Sequence, residues 1–354
     1  MKTVAFTSSA VNYLPKVRKL IKSIREYHPE FEVVWALSDQ LDDSIDIKAE
    51  GIDQVIALED LEIQDRARWT FFHDIVELST AIKPFVLKAL LEKKDVERVI
   101  YFDPDMVLFS RLDDMLTSLA EGHLALTPHQ TRPETSLDAV RDNEISSLKH
   151  GVYNLGFVGV NNTSEGRRFA DWWAERIYHF CVADIPNGLF TDQRWIDLAP
   201  AFFDGVQILK SSRFNVATWN LTTRHFTGDI TDGFFVDAEP LGFYHFTGFD
   251  SGAHAVMANK NAPGNPSVQK LVQWYADETR FDKDDPISKI KWRYGAYSDG
   301  TPVARWQRRL YRARVDLQAA FPEPFATTPE KPGLLGWMQT QALVEYPGIE
   351  KKNT

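Results

Sequence analysis

The apolar run Val99-Ile100-Tyr101-Phe102 stops at Asp103-Pro104-Asp105 and resumes as Met106-Val107-Leu108-Phe109. A buried strand normally ends in a solvated turn or continues into the core. This one carries two carboxylates, one residue apart, at its tip. Two such charges repel, and withdrawing them even partly from water is costly. A hard divalent cation removes that cost, because Mg²⁺ and Mn²⁺ favour oxygen ligands and commonly share them with substrate phosphates. The pattern points to a metal–diphosphate site at a strand end. Standing alone, Asp-Pro-Asp is also an ordinary turn sequence.

The surrounding pattern gives that strand a sheet to belong to. Val4–Phe6, Phe31–Leu37 and Gln54–Leu58 read as strands. Asn12–Tyr27 reads as a helix, with Leu14, Val17, Leu20, Ile21 and Ile24 at helical spacing. Residues 67–93 read as helical with a break near Lys83-Pro84, since the residue before proline avoids the helical region. Arg98–Phe102 is the strand that ends in the acidic pair. Strands alternating with helices predict an α/β fold with a mostly parallel central sheet, in which ligands sit beyond the carboxyl ends of the strands. Downstream, a helix is expected over Arg111–Ala120, a strand over His123–Thr127 and a strand over Val152–Val160. Ser164–Val182 reads as a helix capped by Thr163 or Ser164, and Thr191–Leu198 as a short helix. Arg132–His150 is polar and weakly patterned, and is expected to be a mobile loop over the site.

Near residue 280 the character changes. Between Ile287 and Arg314 the chain carries Lys289, Lys291, Arg293, Arg305, Arg308, Arg309, Arg312 and Arg314 against Asp299 alone, interleaved with Trp292, Tyr294, Tyr297, Trp306 and Tyr311. We therefore expect a 1–280 domain and a basic, aromatic helical extension over 281–354. Such a segment suits peripheral contact with an anionic membrane surface, and equally suits a helical pair packed against the rest of the protein. The net charge of −10 argues against general nucleic-acid binding. A single cysteine, Cys181, excludes an internal disulfide framework. The first seven residues turn polar too quickly for a signal peptide, and no stretch approaches the ~18 apolar residues of a membrane span. The expectation is a cytoplasmic protein.

Four further blocks stand in order around the acidic pair. Phe6-Thr7-Ser8-Ser9-Ala10-Val11-Asn12-Tyr13 leaves the first strand through short hydroxyl side chains, which suit a polar base edge or a helix cap. Tyr153-Asn154-Leu155-Gly156 lies within a strand, where its glycine reads as a bulge. Phe190-Thr191-Asp192-Gln193 opens a short helix, a place where the helix dipole favours an acid. Phe243-Tyr244-His245-Phe246-Thr247-Gly248 puts an imidazole, a transition-metal ligand, in an aromatic strand that would otherwise bury it as a core residue.

Over roughly residues 1–255 this ordered set resembles the nucleotide-sugar-dependent glycosyltransferases of GT-A fold, and among them glycosyltransferase family 8, the glycogenin and bacterial lipopolysaccharide group. The resemblance implies a Rossmann-like catalytic domain and a UDP-sugar donor, with transfer to an acceptor hydroxyl on a glycan or lipid-linked glycan, as in surface polysaccharide or glycolipid synthesis. It implies that Thr7, Ser8 and Tyr13 line the base and ribose pocket. Asp103, Asp105 and His245 would bind the metal, Mn²⁺ in preference to Mg²⁺ because of the imidazole, with Asp103 also on the ribose. Asn154 and Gly156 would face the donor sugar, as would Asp192 through a sugar hydroxyl, and Gln193 would lie beneath the reacting carbon. Lys83 takes the place of a donor-binding arginine, and Gly248 belongs to the family's His-x-x-Gly. Retention of configuration is the implied outcome, and with no well-placed Asp or Glu nucleophile evident in the sequence, front-side attack is the more economical route to it.

Two departures stand out. Leu155 replaces a smaller residue, and no lysine follows Gly248 before Lys260, so the group that holds the leaving diphosphate stays open among the metal, Lys260 and the amides near Gly252. A sugar nucleotidyltransferase would share the fold and the acids, but the first strand-to-helix turn lacks the glycines of its phosphate loop. A non-catalytic nucleotide-sugar-binding relative is the other alternative.

Overall fold

The computed structural model describes residues 2–351; Met1 and residues 352–354, the end of the expected extension, lie outside the described residues. The centre is a seven-stranded sheet. Its first strands are β1 (Lys2–Ser9), β2 (Glu32–Leu37), β3 (Gln54–Ala57) and β4 (Val96–Phe102). The short β5 (Met106–Leu108) lies outside it, and β6 (Leu124–Pro128) and β7 (Tyr153–Asn161) continue it. With the strand Val206–Ile208, written by its residues, the order is 206–208, β6, β7, β4, β1, β2, β3. All pairings are parallel except those of β7, which runs antiparallel to both β4 and β6. The architecture is the expected mixed α/β one, with a mostly parallel central sheet.

Helices cover both faces because the strands are apolar on both. On one side α1 (Leu14–Tyr27) buries Leu14, Val17, Leu20, Ile21 and Ile24, the predicted stripe. The other side holds α2 (Arg66–Phe72), α3 (Ile75–Ala81) and α4 (Lys83–Leu91), where a single broken helix is expected from the sequence. A second break lies at His73-Asp74. Asp74 caps α3, its carboxylate accepting from the Val76 and Glu77 amides, while the Glu77 carboxylate accepts from the Asp74 amide. Pro84 sits in the first turn of α4, where its missing N–H costs nothing.

The expected loop over 132–150 is instead helical from Leu137 to His150, with a π-helical turn at Val140–Glu144. Ser136 caps it by accepting from the Ala139 amide. The periodicity is hidden because Leu137 and Leu148, the apolar residues that would mark a buried face, point to solvent.

The C-terminal segment packs against the rest of the protein, the second of its two expected readings. Tyr297, Trp306 and Tyr311 are buried, forming a hydrophobic cluster with Phe71 of α2 and with Leu334, Leu335 and Met338. One of the cations, Arg308, turns inward with them, while Lys289, Lys291, Arg293, Arg305 and Arg309 stay exposed. The Arg308 guanidinium is buried over the Phe71 and Trp292 rings at 5.5 and 5.1 Å and donates to the Phe71 carbonyl at 3.2 Å. Arg314 is spent on Asp316 and Glu345. Trp292 Nε1 donates to the Ser38 carbonyl at 2.9 Å, tying the segment to the end of β2. The aromatic residues that would insert into an interface are thus occupied inside the protein. No helix among the described residues is long and apolar enough to cross a membrane. Tyr311→Ala is expected to destabilise the fold by about 3–5 kcal/mol in urea unfolding, since it empties a fully buried aromatic site and leaves the Phe321 carbonyl without its donor.

Candidate functional site

The carboxyl ends of β1 and β4 open onto a cavity of about 790 Å³. Ser8, Ser9 and Tyr13 form one wall, Asp103, Asp105 and His245 another, and Lys83, Asn154, Gly156, Asp192 and Gln193 the floor and far side. Residues from six stretches of the chain meet there.

Asp103 leaves β4 with its amide donating to the Gly156 carbonyl of β7 at 2.8 Å. Asp105 follows two residues on, and the chain then enters β5. That strand pairs antiparallel with Phe243–His245, His245 facing Met106 in register. The Phe246 amide donates to the Asp105 carbonyl at 2.9 Å, closing the ladder. This two-stranded ladder brings His245 to the acidic pair. His245 Nε2 lies 3.1 Å from Asp105 Oδ1 and 3.6 Å from Asp103 Oδ2. Ligand atoms from the three residues lie within 4.8 Å of one another.

The electrostatics show what the cluster wants. Burial works against charge on His245, yet Asp105 and Asp103 raise its pKa above the ordinary imidazole value. Burial likewise opposes the Asp105 carboxylate, and the imidazolium and Lys16 hold its pKa below the usual range. The two carboxylates thus favour positive charge at this point. Two carboxylates and one imidazole converging on one point are a donor set that fits a divalent metal.

Across the cavity, Lys83 opens α4, its ammonium 3.2 Å from Asp103 Oδ1, 3.3 Å from Asp192 Oδ2 and 4.3 Å from the centre of the Tyr101 ring. Burial disfavours its charge, but Asp103 and Asp192 more than offset that and raise its pKa. Burial pushes the Asp192 carboxyl up, with Lys83 opposing. Tyr101 donates to Asp103 Oδ1 at 2.5 Å. Asp192 precedes the short helix Gln193–Ile196, and Thr191 before it holds φ at +47°, a left-handed turn that aims the pair inward. Removing one partner of such a buried ion pair leaves the others uncompensated. Lys83→Met is expected to cost about 3–5 kcal/mol in denaturant unfolding, and adding Asp192→Asn to it is expected to restore part of that loss.

The site residues named from the sequence do not all reach the wall. Thr7 is buried within β1, and Ser9 and Asn12 line the cavity beside Ser8 and Tyr13. Gly248 lies in the turn after His245 at φ +71°, which glycine adopts without strain, and Thr247 is the residue of that turn on the wall. Lys260 is ion-paired to Asp142, away from the acidic cluster. Lys16 of α1 is buried, paired with Asp250 and close enough to Asp105 to stabilise its charge. Sequence reasoning missed His129, His150 and Trp219, which also line the cavity. His129 directly follows β6 and carried a readable signal as a polar residue at a strand end; Trp219 had none. Asn143, Ser146 and Ser147 show that the helical 137–150 segment does border the cavity.

No family model matches the chain. It is similar to two Bacillus subtilis (strain 168) proteins. The uncharacterized protein YfnD is 28% identical over 241 residues, 66% of this chain and 74% of YfnD. The uncharacterized protein YfnF is 28% identical over 181 residues, 50% of this chain and 58% of YfnF. Among solved structures it is similar to the galactosyltransferase LgtC in complex with donor and acceptor sugar analogues, at 15% identity and a TM-score of 0.44 over 75% of this chain and 99% of LgtC. It is also similar to the apo form of the glycosyltransferase GlyE of Streptococcus pneumoniae TIGR4, at 15% identity and a TM-score of 0.39 over 62% of this chain and 47% of that one.

Proposed function

We propose that the cavity is the active site of a metal-dependent glycosyltransferase that moves a sugar from a UDP-sugar to an acceptor hydroxyl with retention. The observation that carries this reading is the convergence of Asp103, Asp105 and His245 on one point, facing the Lys83–Asp192 pair across a single cavity. The order of the sequence blocks that supply these residues supports it.

Asp103, Asp105 and His245 would hold a divalent ion, Mn²⁺ in preference to Mg²⁺, which when bound supplies Lewis-acid stabilisation of the charge that develops on the departing diphosphate. Ser8 and Tyr13 flank the nucleoside. The Lys83 ammonium pairs with Asp103 and Asp192 and adds positive potential beside the diphosphate. Asp192 is the carboxylate that faces the sugar and accepts its hydroxyls. Gln193 is fully bonded to the protein, its Oε1 accepting from the Leu155 amide at 3.0 Å and its Nε2 donating to the His150 carbonyl at 2.9 Å. It sets a fixed floor beneath the reacting carbon. In the reaction the bond from the anomeric carbon to the diphosphate oxygen breaks, the acceptor oxygen bonds to the same face, and its proton passes to the departing phosphate oxygen. The buried walls hold donor and acceptor together and exclude water.

Within this reading, residues 1–280 carry the chemistry and the extension buttresses α2. The test is UDP release from UDP-glucose, UDP-galactose and their N-acetyl forms, with and without Mn²⁺. Metal-dependent release from one donor is the expected result. Tight UDP binding in calorimetry with no turnover of any donor would instead mark a binding protein, and pyrophosphate release from UTP and a sugar phosphate would mark a nucleotidyltransferase.

A further inference from the structure

Lys16 is a buried cation that the reaction above does not use. It stands in the first turn of α1. Its ammonium pairs with Asp250 and lies 5.7 Å from the centre of the Tyr13 ring and 5.6 Å from that of Phe249. The pair is lopsided: the Lys16 side chain is 8% exposed and the Asp250 side chain 53%. A buried ammonium is costly without an anion beside it, whereas a half-exposed carboxylate regains its water by turning outward and gives up little. Lys16 therefore needs an anion, while Asp250 does not need Lys16.

The place of the pair gives it a use. Tyr13, three residues before Lys16, is on the cavity wall, and so is Thr247, three residues before Asp250. The turn that carries Asp250 begins where the Phe246 amide donates to the Asp105 carbonyl, so it leaves directly from the acidic cluster. Its backbone bonds are local, from the Phe249 amide to the Phe246 carbonyl and from the Gly252 amide to the Phe249 carbonyl, both at 3.1 Å. Phe249 packs edge-on against Tyr275 at 4.7 Å and holds the turn in place. Asp250 can thus leave Lys16 by side-chain rotation alone. Lys83 stands across the cavity and Lys260 is engaged with Asp142, so the cation on this side of the acidic cluster is Lys16.

We propose that Lys16 binds the diphosphate of the donor and that Asp250 is a resident anion holding its place, so that donor binding exchanges one anion for the other. The inference rests on the proposed function for the identity of that diphosphate as part of a UDP-sugar. Asp250 then competes with the donor, and its removal tightens binding. An ion pair that only supports the fold predicts weaker binding or none of this change.

The experiment measures, by calorimetry on the full chain with Mn²⁺ present, the affinities for UDP, uridine and inorganic pyrophosphate. Asp250→Asn is expected to tighten UDP and pyrophosphate by about fivefold or more, with uridine unchanged. Lys16→Met is expected to weaken both by about 10–100-fold through loss of a charge-assisted contact, again with uridine unchanged. Adding Asp250→Asn to Lys16→Met is expected to bring no tightening, since no cation is left to compete for. Mn²⁺ alone, titrated by EPR, is not expected to weaken in Lys16→Met, because the charge that is lost would repel the ion. The loss of UDP is then not a loss of metal. If Lys16→Met does not fold, Asp250→Asn decides alone. UDP and pyrophosphate affinities that stay the same or fall in Asp250→Asn would overturn the proposal, and wild-type UDP binding would leave the proposed function standing. Pyrophosphate binding that follows the expected pattern in a protein that does not bind UDP would uphold the anion exchange and sink the UDP-sugar reading. A wild type that binds neither would overturn both.

Discussion

Asp105→Asn is expected to abolish measurable Mn²⁺ binding and to lower sugar transfer by about 10³-fold or more, with the fold intact by circular dichroism. The magnitude follows from chemistry. Lewis-acid stabilisation of a departing diphosphate is worth several kcal/mol, and about 4 kcal/mol is a factor of about 10³. Asparagine preserves the shape of the side chain but not the charge that offsets the metal. Asp105 belongs to the β4–β5 connection through backbone bonds that the substitution leaves alone, such as the Phe246 amide donating to its carbonyl. Binding and activity should therefore fall while the unfolding midpoint moves little. A variant with wild-type turnover in the presence of Mn²⁺ and EDTA controls would return Asp103-Pro104-Asp105 to the status of an acidic turn.

Gly156→Ala is expected to be nearly as damaging by a steric route. A Cβ at this position would stand 2.7 Å from both Asn154 Oδ1 and His245 Cε1, and against the Met106 side chain as well. These are not flexible surface tips: Asn154 is pinned by several hydrogen bonds, and Trp219 packs edge-on against the imidazole at 5.4 Å. Overpacking of this kind typically costs 1–3 kcal/mol, and relieving it requires the imidazole to move off the metal point. We expect a lowered urea midpoint together with Mn²⁺ affinity weakened by about 10–100-fold. Unchanged Mn²⁺ affinity at reduced stability would show that the ring yields without leaving the ligand position. The sequence reads Gly156 as a bulge glycine; in the structure what forbids a side chain there is the crowding of His245 against β7.

What the sequence made legible was local. The apolar run into Asp103 places the acidic pair at a strand end, and the α1 stripe is where its spacing puts it. The alternation of strands and helices predicts the mostly parallel sheet. The blocks around Asp192 and His245 stand at the cavity because each is a short strand or helix end, and the sheet topology gathers such ends together. Less legible were features set by partners distant in sequence. Leu137 and Leu148 face solvent, so the helical segment over 137–150 shows no buried stripe and reads as loop. The same arginines and aromatics that suggest a membrane surface also build an internal joint, and only the contacts of Arg308 with Phe71 and Trp292 distinguish the two. Thr7 illustrates depth along a strand: it lies one residue further into β1 than Ser8 and Ser9, and is buried in the sheet short of the cavity that they line.

The ladder between β5 and Phe243–His245 has a further consequence, for the order of assembly. Asp103 and Asp105 are already adjacent in the unfolded chain, but His245 joins them only when two strands far apart in sequence have closed a long loop and paired. That closure is entropically costly and comes late in the formation of such contacts. The complete ligand set thus exists only in the folded chain. Any ion bound there weights the equilibrium towards it, by about 2.7 kcal/mol when free metal stands at 100 times its dissociation constant. Metal occupancy and the integrity of a long-range strand pairing become one quantity, so the thermal midpoint itself would report the concentration of free ion.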